Sequence, residues 1–431
     1  MARRVDSRTL KTTLLRANTT LLLTSVMLFQ FTGMLLLAFK RAPFDMQALI
    51  FALSLPAVTW IVVNLYSKFW QVDRTLLILT LLLCSVGLIS LQDIARAAIT
   101  PLTQAGYVGM GLISMAVGIV FIRRLRRWDK WMPWLMGFAT LLLVSPLIFG
   151  EMRYGAKNWV HIPGTNQSVQ PSEFVKFILV ILLAAGLGGQ KRFLKCLPTL
   201  AFAGGLCALL LAERDLGALL IYFLTTVAVY YAASSNALVT LTGLGLGAGG
   251  AYAAYHMFEL VRNRIAIFKN PWSDSVLGYQ SVQALIAMGS GGFFGMGLGL
   301  GYPRTIPLYH SDFIFAALSE EFGLIVSIAL VMIYLIIVLR GVSVAMNART
   351  SFHGLTAMGV VTLTGVQTFI NIGGNIKMIP LTGVTLPFIS AGGSSMVSMM
   401  GMMGLLLGVS SINAHDELND LKSMSWREAG V

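Results

Sequence analysis

The stretch "TLLILTLLLCSVGLISLQ", residues 75–92, contains eighteen residues and no charged side chain. As a helix it would extend about 27 Å at ~1.5 Å per residue, close to the ~30 Å hydrocarbon core of a bilayer. Similar runs recur from residue 17 to residue 412, and of the 431 residues 56% are hydrophobic and 11% charged. Soluble chains carry roughly a quarter charged residues. The sequence therefore predicts a helical membrane protein, because the strands of a membrane barrel would alternate apolar and polar residues.

The apolar runs predict an all-α, polytopic fold with about twelve transmembrane helices. Glycine and proline inside the runs are acceptable in lipid-embedded helices. The first run is too long for a signal-peptide core and has no small-residue cleavage site after it, so we expect it to be retained. An even number of crossings places both termini on one side. The predicted spans are 17–39, 46–66, 74–94, 105–122, 131–150, 171–189, 193–212, 215–234, 236–257, 309–340, 353–374 and 385–412.

The distribution of Lys and Arg predicts that both termini are cytoplasmic. With that orientation 19 of the 31 basic residues lie inside, 11 lie outside and one, Lys176, lies within a span. The net charge of +13 is then explained by topology and anionic lipid headgroups, so we expect no nucleic-acid partner. The external segment 258–308 is itself basic, which favours an anionic partner there. The three cysteines, Cys84, Cys196 and Cys207, have no metal-ligand spacing and are interpreted as packing residues.

Two short segments place charges where predicted helices begin. In "EMRYGAKNWVHIPGTNQSVQPSEFVKF", residues 151–177, Glu173 and Lys176 are three positions apart and share one helix face. They form either a structural ion pair or a contact to substrate. In "AERDLG", residues 212–217, Arg214 and Asp215 occupy a tight turn. Capping of the following helix by Asp215 is the alternative to a chemical role.

The segment 258–308 carries the most distinctive polar residue. Asp274 precedes the glycine-rich run "LIAMGSGGFFGMGLGLG", which does not satisfy a dinucleotide or P-loop pattern. A solvated carboxylate paired with Lys269 is the alternative to catalysis. Further on, "YHSDFIFAALSEEFG" contains His310 and Asp312, and "GGNIKMIPLTGVTLPFISAGGSS", residues 373–395, predicts a broken helix. Backbone freed by such a break needs a protein partner or a water-lined cavity.

Five motifs together resemble the SEDS family of membrane peptidoglycan polymerases, which includes RodA, FtsW and SpoVE. They are "GAKNWV" with "QPSEFVKF", "RDLG", "NPWSD…GYQSVQALIAMGSGGFFGMGLG", "HSDFIFAALSEEFG" and "PLTGVTLPFISAGGSS". The resemblance implies a ten-helix core over residues 73–415. Residues 1–72 would add a basic arm and two helices, and residues 416–431 a cytoplasmic tail.

The resemblance also implies an activity, with Asp274 at the position of the family's essential aspartate. We expect inverting transfer of the growing lipid-linked glycan onto lipid II on the external face, with release of undecaprenyl pyrophosphate, for cell-wall synthesis in elongation, division or sporulation. Asp274 would accept the proton of the acceptor hydroxyl as general base. The other candidate residues would bind substrate or support the site: Glu173, Lys176, Asp215, Arg264, Lys269, Lys157, Arg214, His310 and Asp312.

The expected partners follow from the same resemblance. They are lipid II, the nascent glycan, a class B penicillin-binding protein and the bacterial cell membrane. A divalent cation, Mg²⁺ or Mn²⁺, could neutralise the pyrophosphate, although no ligand cluster in the sequence establishes one. Two alternatives stay open, a transporter or flippase of lipid-linked precursors and a non-catalytic scaffold for the penicillin-binding protein. The external position of Asp274 favours the enzyme, because transport favours a site at the membrane midplane.

Overall fold

The computed structural model describes residues 7–40, 44–94, 100–125, 128–153, 155–164, 167–190, 192–274, 276 and 278–428. Fourteen α-helices, one short 3₁₀ helix at Pro303–Thr305 and three short strands occupy this part of the chain. The helices are α1 Ser7–Lys40, α2 Met46–Trp70, α3 Arg74–Ile94, α4 Pro101–Arg124, α5 Trp128–Phe149, α6 Pro171–Leu187, α7 Phe193–Ala212, α8 Leu216–Ser234, α9 Ala237–Met257, α10 Glu259–Lys269, α11 Tyr279–Gly291, α12 Ile314–Met346, α13 Ser351–Asn375 and α14 Gly393–Glu428. The strands are β1 Gly150–Arg153, β2 Ala156–His161 and β3 Ser168–Val169.

Eleven helices in the described residues are long and apolar enough to cross a membrane. The sixth predicted span corresponds to α6, which has 17 residues. The prediction of an all-α polytopic membrane protein is therefore confirmed. Two predicted boundaries are wrong. The tenth span begins at Ile314 rather than 309, and the twelfth begins at Gly393 rather than 385 and continues as one helix to Glu428.

Of the twelve long helices, four are central and the other eight pack around them. Most of α3, α6, α13 and α14 is buried, whereas α9 buries none of its residues. Glycines allow α4 and α14 to approach closely: a Cβ on Gly118 would collide with the carbonyl oxygen of Gly401. Small residues at such crossings permit the van der Waals contacts that hold membrane helices together.

Alternate crossings place two groups of connections on opposite faces. The segments 150–170, 213–215, 258–313 and 376–392 meet on one face, which we call the cavity face. The ends of α2, α12 and α14 meet on the other, the terminal face, where Arg340 Nε bonds Asp73 Oδ2 at 2.8 Å.

The cavity face contains structure that was expected only as loops. Strands β1, β2 and β3 form an antiparallel sheet in that order between α5 and α6. Helices α10 and α11 occupy much of the long segment 258–308. Residues 376–392 are irregular, as the prediction of a broken helix requires, and Asn371 Nδ2 donates to the carbonyl oxygen of Val384 at 2.6 Å.

The glycine-rich run forms a tight turn against a break in α12. Gly323 lies inside α12 with φ 78° and ψ −178°, a conformation that L side chains rarely adopt. The amides of Met296 and Gly297 donate to the carbonyl oxygens of Glu320 and Glu321 at 2.9 Å each. The glycines therefore serve close backbone approach rather than phosphate binding.

The two N-terminal helices are attached to the core by polar contacts. Buried Gln30 of α1 donates through Nε2 to Thr59 Oγ1 at 2.8 Å and to Ser85 Oγ at 2.6 Å, which joins α1, α2 and α3. At the end of α1, Lys40 Nζ lies 3.2 Å from Asp93 Oδ1 and donates to the carbonyl oxygen of Gly299. The hairpin is therefore bonded to α3 and to the glycine turn.

Candidate active site

A cavity of about 400 Å³ opens on the cavity face between the sheet, α8, α10, α11 and the end of α13. Its wall is mixed. Apolar side chains such as Leu260, Ile267 and Phe268 alternate with charged and amide groups. The charged and amide-bearing side chains are Asn158, Arg214, Asp215, Asn263, Arg264, Gln280, Asp312, Asn375 and Lys377.

Asp215 organises one wall of the cavity. Its Oδ1 accepts from the amide of Ala218 at 3.0 Å, so Asp215 caps the N-terminus of α8. Capping was the alternative to a chemical role that the sequence left open for this residue. Its Oδ2 accepts from Asn158 Nδ2 at 2.8 Å, Gln170 Nε2 at 2.9 Å and Ser172 Oγ at 3.4 Å. These contacts join β2, the start of α6 and α8, so the carboxylate fixes the position of three elements.

Arg214 and Arg264 present guanidinium groups to this cavity. Arg214 is exposed and has φ 61°, in the left-handed region. Arg264 is half-buried and donates through Nη1 to the carbonyl oxygen of Thr382 at 3.2 Å. Burial lowers the pKa of Arg264, and the carboxylates of Asp215 and Asp312 oppose that effect. Arginine keeps its charge in proteins, so both groups can bind an anion.

Asp312 also lines the cavity. Burial raises its pKa to about 6, although a hydrogen bond from Ser311 and the charge of Arg264 act in the other direction. The carbonyl oxygen of Asp312 accepts from Asn371 Nδ2 at 3.0 Å and Asn375 Nδ2 at 2.9 Å. These two bonds tie the residue to α13.

Asp274 lies in the turn between α10 and α11. It is half-buried; its Oδ1 accepts from the amide of Val276 at 2.8 Å, and its carbonyl oxygen accepts from the amide of Gly278 at 3.0 Å. Asp274 is not among the residues that line the cavity, but the chain enters the wall on either side of it, at Phe268 and at Gln280. The turn that contains Asp274 therefore connects two segments of the cavity wall. Ser275 and Leu277 lie outside the described residues.

Three other candidates, Lys157, Lys269 and His310, are not among the residues that line the cavity. Lys157 Nζ donates to the carbonyl oxygen of Leu147 at 2.7 Å, near the C-terminus of α5 where a cation is favourable. Lys269 is exposed at the end of α10. The carbonyl oxygen of His310 accepts from the amide of Ala391 at 2.9 Å, and burial lowers the pKa of its imidazole.

Glu173 and Lys176 form an ion pair inside the protein. Lys176 Nζ lies 2.7 Å from Glu173 Oε1 and 3.0 Å from Gln367 Oε1, and Lys176 is only 1% exposed. Ser398 Oγ donates to the carbonyl oxygen of Glu173. The pair thus connects α6 with α13 and α14, and neither side chain borders the cavity.

Two charged residues near the cavity were not among the predicted site residues. Lys377 lines it directly. Glu213 is fully buried beside Asp215, and burial followed by the charge of Asp215 raises its pKa to about 8, so it is mostly protonated at neutral pH. Lys377 could have been found from the sequence as the single charged residue of the apolar stretch "GGNIKMIP". No sequence pattern distinguishes Glu213 from a solvent-exposed carboxylate in a loop.

A sequence profile described as "Cell cycle protein", covering FtsW, RodA and SpoVE, matches residues 67–415 of the 431. The chain belongs to the SEDS family. This SEDS chain is 35% identical over 323 residues to peptidoglycan glycosyltransferase RodA of Mycobacterium tuberculosis, covering 70% of this chain and 68% of that protein. It is 32% identical over 364 residues to stage V sporulation protein E of Bacillus subtilis, covering 78% and 96%.

Solved structures extend the similarity of this SEDS chain to the fold. A chain from a peptidoglycan synthase complex, studied for its coordination of polymerization and crosslinking, aligns with TM-score 0.68 at 25% identity. It covers 79% of this chain and 98% of its own length. The RodA structure from Thermus thermophilus aligns with TM-score 0.59 at 24% identity, over 80% of this chain and 98% of that one. Most of α1 and α2 precedes the residues that the family profile matches.

Proposed function

We propose that this peptidoglycan glycosyltransferase polymerises glycan strands from lipid II at the cavity face, with Asp274 as general base. The observation that carries the proposal is one cavity bordered by Arg214, Arg264 and Lys377, whose wall is formed in part by the two segments that the Asp274 turn connects. A donor with a sugar, a diphosphate and a lipid tail needs cations, amide groups and apolar surface together. The lining of the cavity supplies all three.

The reaction forms one bond and breaks one. The 4-hydroxyl oxygen of the acceptor sugar attacks the anomeric carbon of the donor, and the bond from that carbon to the diphosphate oxygen breaks. Asp274 takes the hydroxyl proton as the new bond forms, which contributes roughly 10²- to 10⁴-fold to the rate. Attack from the face opposite the leaving group inverts the α-linked donor to a β-linked product.

Cations stabilise the charge that develops on the departing diphosphate. Arg264 and Arg214 border the cavity and suit this role. Lys269 is also a candidate from the sequence, but it is exposed at the end of α10, so it is a weaker candidate for stabilising the leaving group.

A divalent cation is proposed only as a companion of the substrate. The described residues contain no group of three or more His, Cys, Asp or Glu side chains placed to hold a metal. Asp215, one of two carboxylates on the cavity wall, already accepts hydrogen bonds from four donors. The residues that the structure describes therefore form no cage for the cation, and none of the steps above passes through a metal.

The orientation and the protein partner belong to the same proposal. The excess of Lys and Arg near the terminal face supports cytoplasmic termini and a cavity open to the external side. The structural relative comes from a peptidoglycan synthase complex, which supports a class B penicillin-binding protein as the partner of this chain.

The test is glycan polymerisation from purified lipid II by the detergent-solubilised chain and its co-expressed partner, with transpeptidation blocked. Glu259→Gln is the matched control, because it removes an exposed carboxylate from the same segment. Polymer from the wild type and Glu259→Gln, but none from a folded Asp274→Ala variant, is the expected result. Equal polymer from Asp274→Ala would remove Asp274 as the base. Lipid II binding without polymer from any form would favour a transporter or scaffold.

A further inference from the structure

Lys377, like Arg214, is a cationic residue at the cavity whose backbone has a positive φ. Six described residues other than glycine have positive φ, and three of them, Arg214, Leu308 and Lys377, line this cavity. Lys377 has φ 57°. The left-handed region is unfavourable for a residue other than glycine, and such strain tends to persist where the side chain serves a site.

The strain at Lys377 arises from the way α13 ends. The amide of Lys377 donates to the carbonyl oxygen of Gly374 at 3.3 Å, and the amide of Met378 donates to that of Gly373 at 2.8 Å. A helix that ends in this manner commonly uses glycine at the left-handed position. Glycine would satisfy the same backbone bonds without strain, so the backbone does not explain the lysine.

The head group of Lys377 is available for a ligand. Its ammonium makes no hydrogen bond or ion pair with any residue that the structure describes, and the same holds for the Arg214 guanidinium. Asp215 borders the same cavity, but its oxygens are occupied by four donors. The neighbouring C-terminus of α13 directs carbonyl oxygens outward and would repel an anion. A cation at this position offsets that repulsion.

We propose that Lys377, together with Arg214, binds the diphosphate of the lipid-linked substrate. The inference rests on the proposed function and names the part of the substrate that this wall of the cavity recognises. The alternative is structural, since a lysine at a helix C-terminus also interacts favourably with the helix dipole.

The experiment separates the two by measuring stability and binding in the same variants. Farnesyl diphosphate and farnesyl monophosphate serve as probes, titrated against the detergent-solubilised full chain. Lys377→Gly relieves the strain and removes the charge, whereas Lys377→Arg keeps the charge. Gln71→Gly is the control, because Gln71 has φ 52° at the end of α2 on the terminal face.

We expect Lys377→Gly to weaken diphosphate binding about tenfold or more, as loss of a charge-assisted contact does, while its thermal stability is unchanged or higher. Lys377→Arg and Gln71→Gly should bind within a few-fold of wild type. Monophosphate binding should change less than diphosphate binding. Unchanged diphosphate binding by Lys377→Gly, or lower stability as its only effect, would overturn the inference.

The outcome is separable from that of the proposed function. Polymerisation by a wild type whose diphosphate affinity does not depend on Lys377 would refute only the inference. Lys377-dependent diphosphate binding by a chain that makes no polymer would refute the polymerase and leave the diphosphate site in place.

Discussion

Replacing Lys176 with methionine tests whether the Glu173–Lys176 pair holds helices together or contacts substrate. Lys176 is 1% exposed and Glu173 is 6% exposed, so solvent screens their charges little. Methionine fills most of the lysine volume but leaves the carboxylate of Glu173 buried without its cation. Glu173 Oε2 already has no hydrogen-bond partner in the described part of the chain.

The magnitude follows from the burial of the pair. Removing one member of a buried ion pair costs about 3–5 kcal/mol, whereas replacing both members with neutral groups is often close to neutral. At roughly 2 °C per kcal/mol, Lys176→Met should lower the melting temperature by about 8 °C. The double variant Lys176→Met with Glu173→Gln should recover most of that loss.

The assay is thermal unfolding in detergent, followed by a thiol-reactive dye. It suits this chain because Cys84 and Cys196 are buried and free and become reactive on unfolding. Arg340→Met is the control, since the Arg340–Asp73 pair is nearly as short, at 2.8 Å against 2.7 Å, but Arg340 is 48% exposed. An exposed pair contributes about 0–1 kcal/mol.

Two results would refute this reasoning. One is a Lys176→Met variant as stable as wild type, and the other is a double variant no more stable than the single one. Lipid II binding measured below the melting temperature adds a second readout. A structural pair predicts retained binding, and loss of binding by a folded variant would assign Lys176 to the substrate.

Three further predictions concern the N-terminal hairpin, the break in α12 and the cavity carboxylate. Lys40→Met should destabilise the chain by about 2 kcal/mol or more, because it removes the cation that pairs with Asp93. Adding Asp93→Asn to the same chain should restore stability in thermal unfolding. A single variant as stable as wild type would contradict the attachment of α1 to α3 through this pair. Gly323→Ala should abolish or sharply reduce the yield of folded protein, because the alanine Cβ would collide with the amide nitrogen of Gly295. Size-exclusion chromatography measures this yield, and a normal yield would contradict the requirement for glycine at the break in α12. The pKa of Asp312 is raised from 3.8 to about 6, so its contribution to stability is complete below pH 4 and is lost as the pH rises through 6. The melting temperature of Asp312→Asn should lack this part of the pH dependence. Parallel profiles of melting temperature against pH for wild type and variant would contradict this assignment.

The transmembrane helices could be predicted from the sequence because hydrocarbon imposes a length and an apolar composition on each of them. The boundaries near residues 309 and 385 could not. Phe388 has φ 67°, and the stretch before Gly393 bonds to other elements, as when Tyr334 donates to the carbonyl oxygen of Pro387. Apolar composition does not reveal such tertiary bonds, so the irregular residues were counted as helix.

Of the candidate site residues named from the sequence, Arg214, Asp215, Arg264 and Asp312 line the cavity, but the directions of the long lysine side chains could not be predicted. Lys157 and Lys377 both lie on the cavity face, yet one binds the end of α5 and the other lines the cavity. A lysine side chain has four rotatable bonds, so the group that its ammonium contacts depends on which helix ends lie nearby in the fold. Residues whose position is set by the backbone, such as Asp215 at the start of α8, were easier to interpret.

The most direct test of the central claim is the single-turnover release of undecaprenyl pyrophosphate from lipid II by the wild type and by Asp274→Asn, with lipid II affinity measured in parallel. Asparagine keeps the size of the side chain and can still accept from the Val276 amide, but it cannot take a proton. The account predicts a rate at least about 10²-fold lower with affinity within a few-fold of wild type. Release at the wild-type rate by a folded Asp274→Asn chain would contradict it.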